Sequence, residues 1–343
     1  MTRDAGGGPA RSKMPATACA RANVALVKYW GKRPGPLNLP AVGSLSLTLA
    51  GLEATASVGP RAAGAPAFMS AGQAVEGTAA RRMEAFLERL REFAPGAPPL
   101  AVEVGIGFPV GAGLASSAAI FCATAAAGLS ALGLSRDRRE LSRLARQGSG
   151  SAARSVFGGL VEWHRGRRPD GEDSFAEPLA GGDNWPLAMA VAVIEHGPKA
   201  IPSRDAMEHV AQTSPFFEAW IAGQDADLAA ARQAVGAHDL TALGTIAEQN
   251  CLRMHATCFA ARPPVMYWRP GSLAVIDEIR RLRAEGVAAW FTMDAGPQVK
   301  ALCLENDLEV IATRLATVPG VQAVLRARSG AGVEMIEGAP PWS

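Results

Sequence analysis

The glycine- and serine-rich stretch at residues 109–119 (PVGAGLASSAA) has the composition of an anion-binding loop. It follows an alternating apolar run that predicts a strand and precedes an alanine-rich segment that predicts a helix. Such a loop directs unpaired backbone N–H groups and the positive end of the helix dipole at one point. Ser116 and Ser117 add hydroxyls suited to phosphate oxygens or Mg²⁺. An ordinary strand–helix turn capped by serine is the alternative that this stretch alone leaves open.

The same stretch excludes two common nucleotide-binding motifs. It lacks the Gly-Lys-Ser/Thr ending of a P-loop. As a dinucleotide fingerprint it lacks the third glycine, because Ser116 stands there, and no acidic residue ends a second strand about 20 residues on. Asp137 is near that distance, but its surroundings are typical of the start of a helix. A nicotinamide-dependent enzyme is therefore disfavoured.

Three cations fall within six residues near the N-terminus, at Lys28, Lys32 and Arg33, with Tyr29 among them. Solvated lysines at the end of a strand are the common arrangement. A phosphate-binding cluster is the alternative, because Gly31 allows the backbone to turn both lysines towards one site.

A second cationic element is Arg154, which small residues surround at positions 147–155 (QGSGSAARS). Together with Ser149, Ser151 and Ser155 it would form a pocket suited to a carboxylate or a phosphate. A Gly/Ser loop that caps a helix is the simpler interpretation of this segment.

A single carboxylate, Asp294, ends the apolar run at 291–293 and precedes a glycine turn. An acid there is either a helix cap or a catalytic group held rigidly at a cleft. Ser203 and Arg204 offer one more anion site. They open a predicted helix after Gly197-Pro198, a pair of residues that interrupts regular secondary structure. Four anion-suited sites and one placed carboxylate together indicate phosphate transfer onto a small anionic substrate.

Length and composition favour a soluble two-lobed enzyme. The 343 residues are 48% hydrophobic and 19% charged, with a net charge of +2, which argues against broad binding to nucleic acid or to membranes. We expect a disordered tail at residues 1–15 that is not a signal peptide, an N-terminal lobe at 16–196 and a C-terminal lobe at 197–343. Five scattered cysteines indicate free thiols in a reducing cytoplasm, and the five histidines show no zinc-ligand spacing.

Periodicity predicts interspersed strands and helices, and hence an α+β protein with a cleft between its lobes. Predicted strands lie at 16–27, 44–49, 53–58, 100–108, 158–163, 187–195, 288–293, 299–304 and 321–326. Predicted helices lie at 78–93, 118–132, 139–147, 203–252 with junctions near Asp225 and at 237–239, 272–285 and 308–318.

In combination, these motifs resemble the diphosphomevalonate decarboxylases of the GHMP kinase superfamily over roughly residues 16–333. The resemblance rests on five strings: KYWGKR at 28–33 with LNLP at 37–40, GLASS at 113–117, GSGSAARS at 148–155, HATC at 255–258 and MDAGP at 293–297. It implies a ribosomal-protein-S5-like N-terminal lobe, a ferredoxin-like C-terminal lobe and a homodimer. It also implies conversion of mevalonate 5-diphosphate, with ATP and Mg²⁺, to isopentenyl diphosphate, CO₂, ADP and phosphate.

The resemblance also implies residue roles. Asp294 would orient the C3 hydroxyl and take its proton late, and Lys28 would stabilise charge on the transferring phosphoryl group. Arg154 would hold the C1 carboxylate. The other implied substrate-binding residues are Tyr29, Lys32, Ser149, Ser151, Ser203 and Arg204. The implied ATP-binding residues are Gly111, Ala112, Gly113, Leu114, Ala115, Ser116 and Ser117, with Ser117 also meeting Mg²⁺.

The chain departs from the family pattern at a few positions. Val42 and Gly43 replace an asparagine and a serine before Ser44, Gly107 replaces an asparagine, and Gln298 stands where asparagine is common. Val110-Gly111 also replace Thr-Ala at the start of the phosphate loop. The alternatives are therefore a relative that acts on mevalonate 5-phosphate, a mevalonate 3-kinase, or a nucleotide-binding homologue without catalysis.

Overall fold

Twelve strands and eight α-helices make up the part of the chain that the computed structural model describes, residues 15–108, 116–182, 184–197 and 201–337. The strands are β1 (Ala16–Val27), β2 (Ser44–Pro60), β3 (Phe68–Ser70), β4 (Gln73–Ala74), β5 (Leu100–Ile106), β6 (Leu160–Trp163), β7 (Ala176–Pro178), β8 (Leu187–Val193), β9 (Trp290–Met293), β10 (Val299–Leu304), β11 (Ala323–Ser329) and β12 (Glu334–Ile336). The α-helices are α1 (Gly77–Arg91), α2 (Ser116–Ala131), α3 (Arg138–Gly148), α4 (Ser203–Thr213), α5 (Phe217–Gly236), α6 (Leu240–Phe259), α7 (Pro270–Ala284) and α8 (Leu308–Ala316). Two short 3-10 helices cover Gly150–Val156 and Glu305–Asp307.

Most predicted elements are present, and the differences include the following two. The strands expected at 44–49 and 53–58 are one strand, β2, because the chain keeps pairing with β1 across Gly51. The helix junction expected near Asp225 is wrong: Asp225 lies inside α5. Its side chain points to solvent, where a polar residue does not interrupt a helix. The expected helix start at Asp137 is confirmed, since its carboxylate accepts a hydrogen bond from the Glu140 N–H.

One mixed sheet runs through both halves of the chain in the order β4-β3-β5-β2-β11-β8-β10-β9. All pairs are antiparallel except β3 with β5. β2 also pairs with β1 and β6, and β1 pairs with β12. Helices and a largely antiparallel sheet confirm the α+β class.

The central strand β8 is buried along its whole length, because helices cover both faces of the sheet there. Its larger side chains, from Leu187 to Val193, pack with residues of β1, β2, α5 and α6. Its alanines face α7 and α8. β8 pairs on both edges with strands of the C-terminal half, and the lobe boundary at 196/197 stays a prediction.

The N-terminal half packs α1, α2 and α3 against its strands. α2 is rich in small residues and almost wholly buried from Ala118 onward, so packing fixes the helix whose first turn carries Ser116 and Ser117. All five cysteines are free, as expected, and four are buried. Within the described ranges, no helix is both long and apolar enough to cross a membrane.

Candidate active site

A cavity of about 400 Å³ lies where the end of β1, the 3-10 helix Gly150–Val156, the start of α2, α4 and the turn after β9 meet. Five of its lining side chains are cationic and one is a carboxylate, so the cavity suits an anionic ligand. The charged lining residues are Lys28, Lys32, Arg82, Arg154, Arg204 and Asp294. The other lining residues are Asn23, Ala25, Tyr29, Trp30, Ser117, Ser149, Gly150, Ser151, Pro202, Ser203, Met207, Met254 and Ala295.

Asp294 directly follows β9 and lies between two buried lysines. Lys28 Nζ is 2.8 Å from Asp294 Oδ1, and Lys300 Nζ is 3.1 Å from Asp294 Oδ2. Both lysine side chains are 1% exposed, whereas that of Asp294 is 23% exposed. The carboxylate is thus held on its buried side and accessible on the cavity side.

The two lysines determine the charge state of this carboxylate. Burial raises the pKa of Asp294, but the charges of Lys28 and Lys300, and their hydrogen bonds, outweigh it and hold the pKa well below its usual range. Asp294 is therefore ionised at neutral pH.

Lys28 comes directly after β1, and α6 fixes its backbone. The Lys28 N–H donates to Asn250 Oδ1 at 2.7 Å, and Asn250 Nδ2 donates to Asp227 Oδ2 of α5 at 2.6 Å. Lys28 Nζ also donates to the Ala25 carbonyl at 2.7 Å. The hydrogen bonds that Nζ donates to the Ala25 carbonyl and to Asp294 Oδ1 together orient the ammonium group.

Arg154 is 3% exposed and is held by neutral acceptors. Its Nε donates to Asn23 Oδ1 at 3.0 Å and its Nη1 to Ser44 Oγ at 2.7 Å. Burial lowers the pKa of Arg154 to about 10, while Asp294 raises it in part. Among the described residues it has no ion-pair partner, so its charge is free to bind an anionic ligand in the cavity.

Three serine hydroxyls form a row along the cavity wall. Ser117 Oγ is 3.3 Å from Ser149 Oγ, which is 3.3 Å from Ser151 Oγ. Ser117 is the second residue of α2, so the row begins at the positive end of that helix. Ser116 opens α2 but is not a lining residue. The predicted residues Gly111, Ala112, Gly113, Leu114 and Ala115 lie outside the described residues.

Three of the lining cations, Lys32, Arg82 and Arg204, form a cationic group that contains no acid. Asn38 joins two of its members: Lys32 Nζ and Arg204 Nη2 both donate to Asn38 Oδ1, at 2.9 and 3.0 Å. Asn38 has a φ of +51° and donates through Nδ2 to the Arg146 and Gln147 carbonyls of α3.

The like charges in this group act on Lys32. Burial, Arg204 and Arg82 lower the pKa of Lys32 to about 7, while Asp205 and Glu208 partly oppose them. Lys32 thus changes its charge near neutral pH.

Tyr29 contributes an unpaired hydroxyl. Its OH has no hydrogen-bond partner among the described residues, and burial raises the pKa of the phenol. A Cβ at Gly150 would lie 2.6 Å from that OH, so glycine is required there for the tyrosine to keep its place.

Ten predicted site residues line this one cavity: Lys28, Tyr29, Lys32, Ser117, Ser149, Ser151, Arg154, Ser203, Arg204 and Asp294. Arg33 does not, because its guanidinium donates to the Arg165 and Arg168 carbonyls. Ser155 does not either, since its hydroxyl donates to the Arg21 carbonyl.

Sequence reasoning missed Asn23, Asn38, Arg82 and Lys300 as parts of the site. Lys300 is the one polar residue of the apolar strand β10, and a lone polar residue in such a strand is a usable signal. Asn23 gives a weaker signal, because β1 also contains Thr17 and Arg21. Arg82 has no such signal, because α1 carries several basic residues on its surface.

The family departures at Val42 and Gly43 lie outside the cavity lining. Val42 is buried, and a Cβ at Gly43 would lie 2.7 Å from a methyl group of Leu228. Ser44, which the chain retains, makes the contact with Arg154. Gln298 is buried and ties the end of β8 to the turn before β10, through hydrogen bonds with the Ile194 N–H and the Glu195 carbonyl.

Two family models match consecutive parts of the chain. The diphosphomevalonate decarboxylase-like N-terminal domain matches residues 20–176, and the mevalonate 5-diphosphate decarboxylase C-terminal domain matches residues 189–333. Diphosphomevalonate decarboxylase mvd1 of Aspergillus fumigatus is 36% identical over 331 residues, which cover 90% of this chain and 82% of the relative.

Solved structures agree in fold over nearly the whole chain. A structure of MDDEF in complex with MVAPP, AMPPCP and magnesium has a TM-score of 0.88 at 39% identity, covering 94% of this chain and 99% of the other. Mevalonate diphosphate decarboxylase from Staphylococcus aureus has a TM-score of 0.89 at 35% identity, covering 94% and 98%. The fold is that of the GHMP kinase superfamily, and the chain belongs to the diphosphomevalonate decarboxylase family.

Proposed function

We propose that this protein catalyses the ATP-dependent decarboxylation of mevalonate 5-diphosphate to isopentenyl diphosphate, releasing CO₂, ADP and phosphate. The observation that carries this proposal is the arrangement of one cavity. An ionised Asp294 paired with Lys28 lies beside the unpaired Arg154, and a separate cationic group contains Lys32, Arg82 and Arg204. A hydroxy acid with a diphosphate tail needs both kinds of site.

Asp294 and Lys28 would act at the C3 hydroxyl. An aspartate cannot deprotonate a tertiary alcohol in advance, because the alcohol is far less acidic than the carboxyl group. Asp294 would accept a hydrogen bond from the hydroxyl and take its proton as the C3 oxygen bonds to the γ-phosphorus of ATP. The bond from that phosphorus to the β,γ-bridging oxygen would break, and ADP would leave with the electron pair. Lys28, fixed on Oδ1, would offset the negative charge around the transferring group.

Arg154 would bind the C1 carboxylate during the second half of the reaction. The C3–O bond breaks, the 3-phosphate leaves with its electron pair, and positive character develops at C3. The C1–C2 bond then breaks, CO₂ leaves, and the electron pair of that bond forms the C2–C3 alkene. Since Arg154 is held by Asn23 and Ser44 and has no acid partner among the described residues, it would keep the carboxylate aligned with C3.

Lys32, Arg82 and Arg204 would bind the 5-diphosphate, with Ser203 and Tyr29 beside them. Binding energy from this non-reacting end would align the reacting end.

The residues at the start of α2 fit an ATP phosphate chain with Mg²⁺. Neutral hydroxyl donors and a helix N-terminus bind phosphate oxygens, and a serine hydroxyl is an accepted Mg²⁺ ligand type. Ser117 would meet the phosphates and the metal, and Ser149 would extend the hydroxyl row. When bound, Mg²⁺ would neutralise phosphate charge during transfer. The structures of relatives with AMPPCP and magnesium, and with mevalonate-diphosphate-mediated ATP binding, support ATP and Mg²⁺ as the ligands.

The decisive experiment measures CO₂ and ADP with ATP and Mg²⁺ on mevalonate, its 5-phosphate and its 5-diphosphate in parallel. Equal amounts of CO₂ and ADP from the diphosphate alone are expected. ADP without CO₂ would indicate a 3-kinase. Turnover confined to the 5-phosphate would show that mevalonate 5-phosphate, and not the 5-diphosphate, is the substrate. ATP binding without turnover on any of the three acids would contradict an enzymatic role.

We further propose that the protein is a homodimer, which rests on the family resemblance, and that it is cytoplasmic, which rests on its free thiols. Sedimentation velocity at micromolar concentration tests the dimer, and a monomer there would contradict it.

A further inference from the structure

Lys300 lies behind Asp294, and none of the roles above uses it. Its Nζ is 3.1 Å from Asp294 Oδ2, the oxygen that Lys28 does not hold. The Lys300 side chain is 1% exposed, and Lys300 is absent from the cavity lining. Lys300 therefore makes no direct contact with a ligand in the cavity, and its ion pair joins it to the site through Asp294.

Stability does not account for a lysine at this position. Lys300 lies in β10, whose residues are nearly all buried, and its register partners are Val191 of β8 and Thr292 of β9. Burying an ammonium group costs several kcal/mol, and a buried ion pair often stabilises a protein no better than apolar residues do. Asp294 is its ion-pair partner among the described residues, and its one other described hydrogen bond is a long one, 3.4 Å, to the Gln298 carbonyl.

The two lysines reach Asp294 from different halves of the chain. Lys28 follows β1, whereas Lys300 belongs to β10, next to the strand β9 that ends one residue before Asp294. Each lysine binds a different carboxylate oxygen. The carboxylate plane is thereby fixed from two sides, with one lone-pair position of each oxygen still available.

We propose that Lys300 is a positioning residue for the decarboxylation: it fixes Oδ2 of Asp294 and keeps that carboxylate ionised while the anionic substrates are bound. This inference rests on the proposed function of Asp294.

The need for a second cation follows from the charge of the ligands. Mevalonate 5-diphosphate and ATP are both polyanions, and each adds negative charge close to Asp294. Nearby negative charge favours the protonated carboxyl group, which could not accept the hydroxyl proton. Lys28 lines the cavity and would face the reacting groups, whereas Lys300 is buried behind Asp294 and is absent from the lining.

The surroundings of Asp294 agree with this division. The groups that face it from the packed elements are Lys28 after β1, Arg154 of the 3-10 helix, Cys251 and His255 of α6, and Lys300 of β10. Burial lowers the pKa of His255 to about 3, so His255 is neutral at physiological pH. Burial also raises the pKa of the Cys251 thiol. Cys251 and His255 are therefore neutral neighbours of Asp294. Burial lowers the pKa of Lys300, and its contact with Asp294 opposes that effect in part.

The test compares the pH profile of kcat in wild type, Lys300→Met and Lys300→Gln. Both variants remove the charge, so the acidic limb of the profile should move up by about one pH unit or more, since an opposite charge at this distance shifts a carboxyl pKa by 1–3 units. Glutamine can still donate a hydrogen bond to Oδ2 and methionine cannot, so kcat at pH 8 should fall further in Lys300→Met. The KM for ATP should stay within about twofold in both.

The matched control is Thr292→Val, in the neighbouring strand position. Thr292 is buried, and its hydroxyl has no hydrogen-bond partner among the described residues, so this change perturbs the same part of the sheet without touching the ion pair. Its acidic limb should coincide with that of wild type. Folded Lys300 variants with an unmoved acidic limb would overturn the proposal.

A second measurement applies even where a single Lys300 variant fails to fold. Asp294→Asn and the double variant Asp294→Asn/Lys300→Met should have the same residual kcat, because Lys300 acts only through the carboxylate. A further loss in the double variant would overturn the proposal. Wild-type turnover of mevalonate 5-diphosphate is measured first, and its absence would contradict the proposed function rather than the role of Lys300.

Discussion

Asp294 differs from the other charged residues of the cavity in being the only carboxylate among the described lining residues. Asp294→Asn should retain ATP binding while turnover falls by several orders of magnitude, because an amide cannot accept the hydroxyl proton. Nucleotide affinity by fluorescence titration and single-turnover CO₂ release measure the two effects separately. Asp225→Asn, an exposed aspartate on α5, is the control. A near-normal rate in Asp294→Asn would show that another group takes the proton.

Lys32 should make substrate affinity depend on pH. In the free protein, burial and the charges of Arg204 and Arg82 lower its pKa to about 7, with Asp205 and Glu208 opposing them. A bound diphosphate favours the charged form, so above pH 7 binding must take up a proton. The Kd for the diphosphate substrate should then rise by up to about tenfold per pH unit between pH 7 and 9.

Calorimetric titration at several pH values measures this Kd and the proton uptake together. Lys32→Arg is the control, because a guanidinium stays charged throughout this range and the extra pH dependence should disappear. A wild-type Kd that is constant from pH 7 to 9 would contradict the assignment of Lys32 to the diphosphate.

Among the elements, the loop between β1 and β2 depends on Asn38. This residue holds the two cations Lys32 and Arg204 through one oxygen and caps the last turn of α3 through its nitrogen. Asn38→Gly permits the same positive φ but removes all of these hydrogen bonds. The KM for the diphosphate substrate should rise by about tenfold or more, since hydrogen bonds to charged groups contribute about 1.5–3 kcal/mol each, while kcat changes less.

Asn38→Ala loses the same contacts and adds backbone strain of about 1–2 kcal/mol at a positive φ. Its KM should match that of Asn38→Gly, and its free energy of unfolding in urea should be lower. A wild-type KM in Asn38→Gly would show that the loop does not need this side chain to place the two cations.

The limits of sequence reasoning differ between elements and site. Elements with clear periodicity are predictable: β1 and β10 have the bounds that their apolar runs indicate. The short strands β3, β4, β7 and β12 were not predicted, because two or three residues carry no periodicity and form only by pairing with a neighbour.

In the candidate site too, residues that belong to a local motif are predictable, and residues placed only by packing are not. Motif residues such as Arg154 and Asp294 stand out by type and spacing along the chain. Arg82 reaches the site only through the packing of α1, which brings it to the same cavity as Asp294, more than 200 residues along the chain. No local pattern encodes such a pairing.

For the whole molecule, the sheet and core predict a single unfolding transition. One hydrophobic cluster joins strands of the N-terminal half to a helix of the C-terminal half. It contains Leu26 of β1, Leu47 of β2, Met189 of β8 and Leu243 of α6. Neither half can lose its structure without exposing this shared core. Urea unfolding followed by far-UV circular dichroism and by tryptophan fluorescence should give coincident curves with one midpoint. Two separate midpoints would show that the halves unfold independently.

The join between β2 and β11 also restricts how this protein can be recombined with relatives. Arg328 lies opposite Ala50 and Ser329 opposite Leu49, and this short register connects the two halves of the sheet. Because side chains alternate between faces, a slip of one residue would turn the buried Ala327 outward and bring the exposed Arg328 into the core. A chimera assembled from two family members therefore keeps this register most directly when the segments around residues 49–50 and 327–329 come from the same parent.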